Sequence, residues 1–280
     1  MNARNPSDSG WFVDGLDRER AVERVRTGTA MSPHDWPSIA VESEVVPDRD
    51  EYYESLHEIT CAAAREAVEE HERADDQQLI HLVRALDDCQ RTANELTERV
   101  GEWAGSHDAT ARMEPAYLRE LAERDADGLV ERRLISLAKR VIELETEADE
   151  LETALERATP EVAPNLSELA GPLLAARLIA LAGGLDSLAK KPSGTLQVLG
   201  AEDALFAHLK GNASPPKHGI IYTHDAIRGM PREQRGSAAR ALAGKLTIAA
   251  RIDYYSGELR PELAEELDDR IERIRARDSQ

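Results

Sequence analysis

The sequence predicts a mainly α protein with a small α/β N-terminal region, a long antiparallel coiled-coil hairpin and a compact all-helical C-terminal domain. Three observations predict this. Only 4% of the 280 residues are aromatic against 41% apolar, and Ala and Leu dominate the apolar set, which favours helix over sheet. Two long apolar seams repeat at alternating spacings of three and four, the mark of helices packed side by side. After Pro164 charge density falls and glycine, proline and small residues become frequent, as in a compact domain.

The elements follow in order. Trp11, Phe12 and Val13 read as a short strand, and Asp17 to Thr27 as a short helix ended by Gly28. Pro33, Pro37 and Pro47 punctuate the next stretch, in which Ile39, Val41, Val45 and Val46 supply a second strand. Asp50 to His71 reads as helix. Residues 1–72 thus form a short N-terminal region. The coiled-coil segment, 73–160, begins at Asp75-Asp76. Its first seam is Leu79, Leu82, Leu86, Cys89, Ala93, Leu96, Val100 and Trp103; Gly101, Gly105 and Pro115 mark the turn. The second seam is Leu134, Leu137, Val141, Leu144, Ala148, Leu151, Leu155 and Ala158, stopped by Pro160 and Pro164. The narrow seams and their Glu- and Arg-rich flanks favour a projecting coiled coil over two helices of a globular bundle. Within 161–257, Leu173 to Leu181 is apolar nearly all round and should be buried, with Gly183-Gly184 ending it. Residues 258–280 return to acidic helix. Leu263, Leu267, Ile271 and Ile274 form its one apolar stripe, which packs on a neighbour and has no chemistry of its own.

Charge points to function. Residues 171–257 carry 11 Lys and Arg against 6 Asp and Glu, a net of +5, while the whole chain carries −19. An acidic protein that keeps one basic segment has an anion to meet, and the commonest large one is a nucleic-acid backbone. Six basic residues are Lys and 29 are Arg, a balance expected in a salt-rich cytoplasm, where carboxylates hold hydration and salt screens their repulsion. No apolar run of membrane-spanning length and no secretory leader is evident. Cys61 and Cys89 give neither a zinc framework nor a disulfide scaffold. No phosphate loop, nucleophile elbow or metal-ligand spacing supports an enzyme. Asp253 before Tyr254-Tyr255 reads as a helix-end carboxylate pairing with a nearby arginine.

At helical spacing Ser237, Arg240, Gly244, Thr247 and Arg251 share one side, flanked by Arg235 and Lys245. Small residues beside arginines let a helix approach a sugar-phosphate backbone while guanidinium groups fork onto phosphate oxygens. An ordinary solvated face fits the spacing equally well. In the preceding loop His224 is placed either to stack on an unpaired base or to sit as a surface histidine. His218 and His224 make a poor metal site.

Motifs add to this reading. GAE-x-ALF (Gly200 to Phe206), PKHG (Pro216 to Gly219) and QRG-x-x-AR (Gln234 to Arg240) occur in the order and spacing of the Nop domain, which residues 164–257 resemble. Upstream, LDDCQRTANELTERVGEWAGSH and PNLSELAGPLLAARLIALAGG are similar to the archaeal Nop-family core protein of box C/D small ribonucleoproteins. The resemblance implies a non-catalytic scaffold. Its Nop domain would grip a box C/D guide RNA at its kink-turn together with the ribosomal-type protein that binds that kink-turn. Its coiled coil would pair with a second copy, and its N-terminal region would hold fibrillarin, a 2′-O-methyltransferase whose cofactor is S-adenosylmethionine; the scaffold itself would carry none. Carried over by residue, Gln234, Arg235, Arg240, Lys245 and Arg251 match the RNA-facing helix, and Thr223 and His224 the loop that approaches the kink-turn. Gly200, Ala201, Glu202 and Leu205 match the segment facing the kink-turn protein. Leu82, Leu86, Leu96, Leu137, Val141, Leu144 and Leu151 are the expected dimerisation residues. Two positions depart from the pattern: Asp203 and Ser237 stand where the family usually has lysine. The N-terminal region is also short for a fibrillarin-binding domain. The competing readings are a Nop-domain RNA-binding dimer without a methyltransferase partner, a splicing-type relative, and a coiled-coil dimer with no RNA role.

Overall fold

The computed structural model describes residues 10–13, 17–29, 33–108 and 110–276. Contacts divide the chain into two units, 1–74 and 75–280.

The first unit is built on three helices, α1 (Arg18–Thr27), α2 (Trp36–Glu42) and α3 (Arg49–Arg73). Asp17 and Asp48 cap α1 and α3, each carboxylate accepting a backbone N–H of the first turn. α3 packs against both partners around Phe12, Val22, Ala40, Val46, Tyr52 and Ile59. The indole N–H of Trp11 donates to the Tyr52 hydroxyl at 3.2 Å. Both expected strands are absent among the described residues: 11–13 is a turn, and 36–42 is helix. Pro37 decides the second case. It sits in the first turn, where its missing N–H costs nothing and its fixed φ suits a helix.

The second unit begins with α4 (Asp75–Gly105), then α5 (Pro115–Glu123) and α6 (Leu129–Val162). At 1.5 Å rise per residue α4 and α6 run roughly 45–50 Å. They are antiparallel, because Ala104 meets Leu134 in one cluster while Leu79 and Leu155 share another. The buried face of α4 is wider than the predicted seam. Ile80 and Val83 are as buried as Leu79 and Leu86, because this half of α4 also packs on α8. α5 stands where the sequence suggests only a turn; it folds back over the far end of the hairpin with Leu118 and Leu121 buried.

Pro160 does not stop α6. It lies in the last turn, and the carbonyl it leaves without a donor belongs to Glu156, which is exposed and reaches water. The chain ends the helix at Val162, and Pro164 starts α7 (Pro164–Ala170). Gly171, at φ 77°, turns the chain into α8 (Pro172–Ala182), and Gly183, at φ 84°, ends that helix in the left-handed conformation. Then follow α9 (Leu185–Lys190), α10 (Ser193–Gln197), α11 (Glu202–Leu209), a 3-10 turn (Ile220–Thr223), α12 (Asp225–Arg228), α13 (Arg235–Tyr255) and α14 (Glu262–Ala276).

α13 is the hub, packed by α7, α9, α10, α12 and α14. Ala238, Ala239, Ala243, Ala249 and Ala250 have no exposed surface, so neighbouring helices come close on several sides. Asp253 near its end does not pair with an arginine, as the sequence suggested. Its carboxylate accepts from the backbone N–H of Asn165 and Leu166, both at 2.9 Å, and from Asn165 Nδ2 at 2.6 Å. It therefore caps α7. Burial pushes its pKa up, opposed by those three donors. α14 lays Leu263, Leu267, Ile271 and Ile274 into the core, as its stripe predicts.

Candidate nucleic-acid interface

The three sequence motifs meet in space. Gly219 of PKHG lies so close to the 199–200 backbone that a Cβ on it would sit 2.0 Å from the Leu199 carbonyl oxygen. Gly219 N–H donates to the Gln197 carbonyl and Ile220 N–H to the Leu199 carbonyl, both at 2.8 Å. Gly200 of GAE adopts φ 82°, which favours glycine, with Ile220 and Leu181 against it. His218 stacks on Tyr222, with centroids 4.6 Å apart and planes 20° from parallel. The Arg235 guanidinium lies over the Tyr222 ring, 5.3 Å from its centroid, and its Nε donates to the Met230 carbonyl at 3.1 Å. Gly236 lies alongside the Lys217 stem. Burial, then Arg235 and Lys217, hold the His218 pKa below its ordinary value.

The predicted RNA-facing residues divide into three groups. Arg240 is exposed, with no hydrogen-bonding or ionic partner among the described residues. Arg235 and Arg251 each use Nε within the chain, the latter on the Ala189 carbonyl at 3.1 Å, and no bond among the described residues takes their terminal N–H groups. Lys245 is paired with Glu266 of α14. Gln234 is buried at the N-cap of α13, so it shapes the helix start and presents little open surface. Thr247, expected on the exposed stripe, is buried, and its hydroxyl donates to the Ala243 carbonyl. The α13 stripe is narrower than its sequence spacing suggests because helices pack on both of its flanks. Ser237 and Asp203, the two departures, are exposed.

Thr223 is exposed and donates its hydroxyl to the Ile220 carbonyl at 3.0 Å. His224 is half-buried. Its Nδ1 accepts from the Ala226 N–H, so the proton sits on Nε2, which donates to the Leu169 carbonyl at 2.9 Å. Both ring nitrogens are therefore engaged in capping α12 and tying it to α7. Any stacking would use the ring face alone.

α11 has no buried residue. Gly200 and Glu202 are exposed, Ala201 and Leu205 half-buried, and Glu202 folds back to accept the Gly200 N–H at 2.9 Å. Two neighbours absent from the predicted set are the most open apolar groups here, Phe206 at 59% and Leu209 at 71% exposure. The sequence held the signal, since 202, 205, 206 and 209 follow i, i+3, i+4, i+7. The expected dimerisation residues sit otherwise. Leu86 and Val141 are buried, and Leu82, Leu96, Leu137, Leu144 and Leu151 are half-buried, all within clusters of this one chain. The hairpin's own pairing takes up that seam. Met113, Leu129 and Val130, near the far end of the hairpin, are exposed instead.

A family model described as Nop, snoRNA binding domain, fibrillarin, matches residues 43–274. An uncharacterized NOP5 family protein of Methanocaldococcus jannaschii is 37% identical over 263 residues, covering 81% of this chain and 64% of that protein. Nucleolar protein 56 of Schizosaccharomyces pombe is 45% identical over 123 residues, covering 44% of this chain and 25% of that protein. This chain thus spans less than two thirds of the length of either relative. Among solved structures, the crystal structure of a fibrillarin/Nop5p complex aligns with a TM-score of 0.54 at 28% identity, covering 91% of this chain and 92% of that one.

Proposed function

The chain belongs to the Nop family, and from that premise we propose that it is the non-catalytic scaffold of a box C/D guide ribonucleoprotein. Its second unit grips a kink-turn RNA together with the small protein that binds the kink-turn, and its first unit recruits fibrillarin. The methyl transfer, with its S-adenosylmethionine, belongs to that partner. The family match and the solved fibrillarin/Nop5p relative support this reading. A second copy of the chain joins through the hairpin, by residues such as Met113 and Leu129 that its own packing leaves open. The acidic, lysine-poor composition supports work in a salt-rich cytoplasm.

The observation that carries the proposal is the pairing of two kinds of surface in one unit. α11 holds Phe206 and Leu209 in the open with no residue buried, a face that gains from being covered by protein. α13 holds Arg240 exposed and without a partner among the described residues, a group suited to phosphate. A composite of protein and RNA uses both, and joint recognition suits an A-form stem whose deep major groove side chains read poorly.

The test is a gel-shift titration in molar KCl with a kink-turn RNA, with and without its binding protein. A shift only when both are present is expected. Phe206→Ala with Leu209→Ala should weaken that shift more than tenfold, as loss of an apolar anchor does, and leave the melting temperature unchanged. No shift under either condition would overturn the proposal. Co-purification of a methyltransferase separates this scaffold from an RNA-binding dimer without one.

A further inference from the structure

The acidic C-terminal helix was expected to pack and do nothing else, but its placement beside α13 assigns it more. With Leu263, Leu267, Ile271 and Ile274 buried, residues 266, 270 and 273 fall together on one flank. That flank faces α13: Glu266 pairs with Lys245, and a groove of about 430 Å³ runs between the helices. Ala241, Gly244 and Ile248 of α13 line it on one side, and Asp269, Arg270 and Arg273 of α14 on the other.

We infer that α14 is a second RNA-facing helix, and that this groove takes a stretch of sugar-phosphate backbone beside the Arg240 stripe. The inference rests on the RNA-scaffold reading above and extends its surface to a helix outside the segment that carries the Nop motifs. Charge selects the occupant. The chain is −19 overall, and α14 has six acidic residues, yet the groove is lined by three cations, Lys245, Arg270 and Arg273, against two carboxylates, Glu266 and Asp269. Arg270 is exposed, with no ionic partner among the described residues. Arg273 uses only Nε, on the Asp269 carbonyl at 3.0 Å. The floor offers small side chains, so a backbone can approach closely; nothing lies within 4 Å of where a Cβ on Gly244 would stand. Lys245 is held by Glu266 until a phosphate replaces that carboxylate, which makes Glu266 a built-in competitor.

The experiment measures binding of the full chain to a kink-turn RNA carrying its kink-turn-binding protein, across a KCl series. Each phosphate contact removed should lower the slope of log affinity against log salt by roughly one. Arg270→Gln with Arg273→Gln should lower it by about two, while Arg270→Lys with Arg273→Lys keeps it. Glu266→Gln should tighten binding. All three positions are exposed, so unchanged melting curves are expected and verify the fold. If the glutamine pair leaves the slope unchanged while Arg240→Ala lowers it, α14 only packs and the inference fails with the scaffold reading intact. If the unmodified chain does not bind the complex at all, both fail.

Discussion

At the level of single residues, glycine and histidine shape the surface around the candidate interface. A methyl group on Gly219 would meet the Leu199 carbonyl at 2.0 Å, and backbone cannot give way as a flexible side chain does. Gly219→Ala should therefore destabilise the second unit by about 3 kcal/mol, the upper end for overpacking, read as a lowered urea midpoint. His218 has its pKa held down by burial, Arg235 and Lys217, so the folded state favours the neutral ring. A depressed folded-state pKa gives stability that is present above the ordinary histidine range and is lost as pH falls through it. Melting temperature should thus drop between about pH 7.5 and pH 5.5, and His218→Gln should remove that part of the drop. PKHG and QRG were legible as motifs. That the imidazole of one and the guanidinium of the other both pack on Tyr222 was not, because these residues lie 17 positions apart and only the folded chain brings them together.

Helix ends decide what each element can do. Asp253 reads in sequence as one acidic residue before two tyrosines, and nothing local says that it caps a helix 88 residues away. Asp253→Ala should cost roughly 2–4 kcal/mol, since it removes three hydrogen bonds and leaves buried donors on Asn165 and Leu166 unmet. Asp253→Asn keeps one acceptor oxygen and should lose less; chemical denaturation of the two variants checks the order. The seams of α4 and α6 were legible because their period is local. Their pairing as an antiparallel hairpin was legible too, but the expected dimerisation residues on them pack within this one chain. The end of α6 departs from the sequence expectation for a related reason. Whether a proline stops a helix depends on which carbonyl it orphans and whether water reaches that group, which only the fold decides.

For the molecule as a whole, charge is the governing quantity. With 54 acidic and 35 basic residues, its like charges repel in dilute buffer. The melting temperature should rise as KCl increases toward about 1 M, where the screening length falls to roughly 3 Å; a falling melting temperature would count against adaptation to salt. By itself the sequence determined helix content, the hairpin's two seams, the apolar stripe of α14 and the basic segment within an acidic chain, because periodicity and net charge are local or additive. Only the tertiary structure decided which face of each helix stays open. It buried Thr247 and Gln234, left Phe206 and Leu209 bare, and set α14 against Lys245. Exposure is a property of neighbours, and neighbours distant in sequence are chosen by packing.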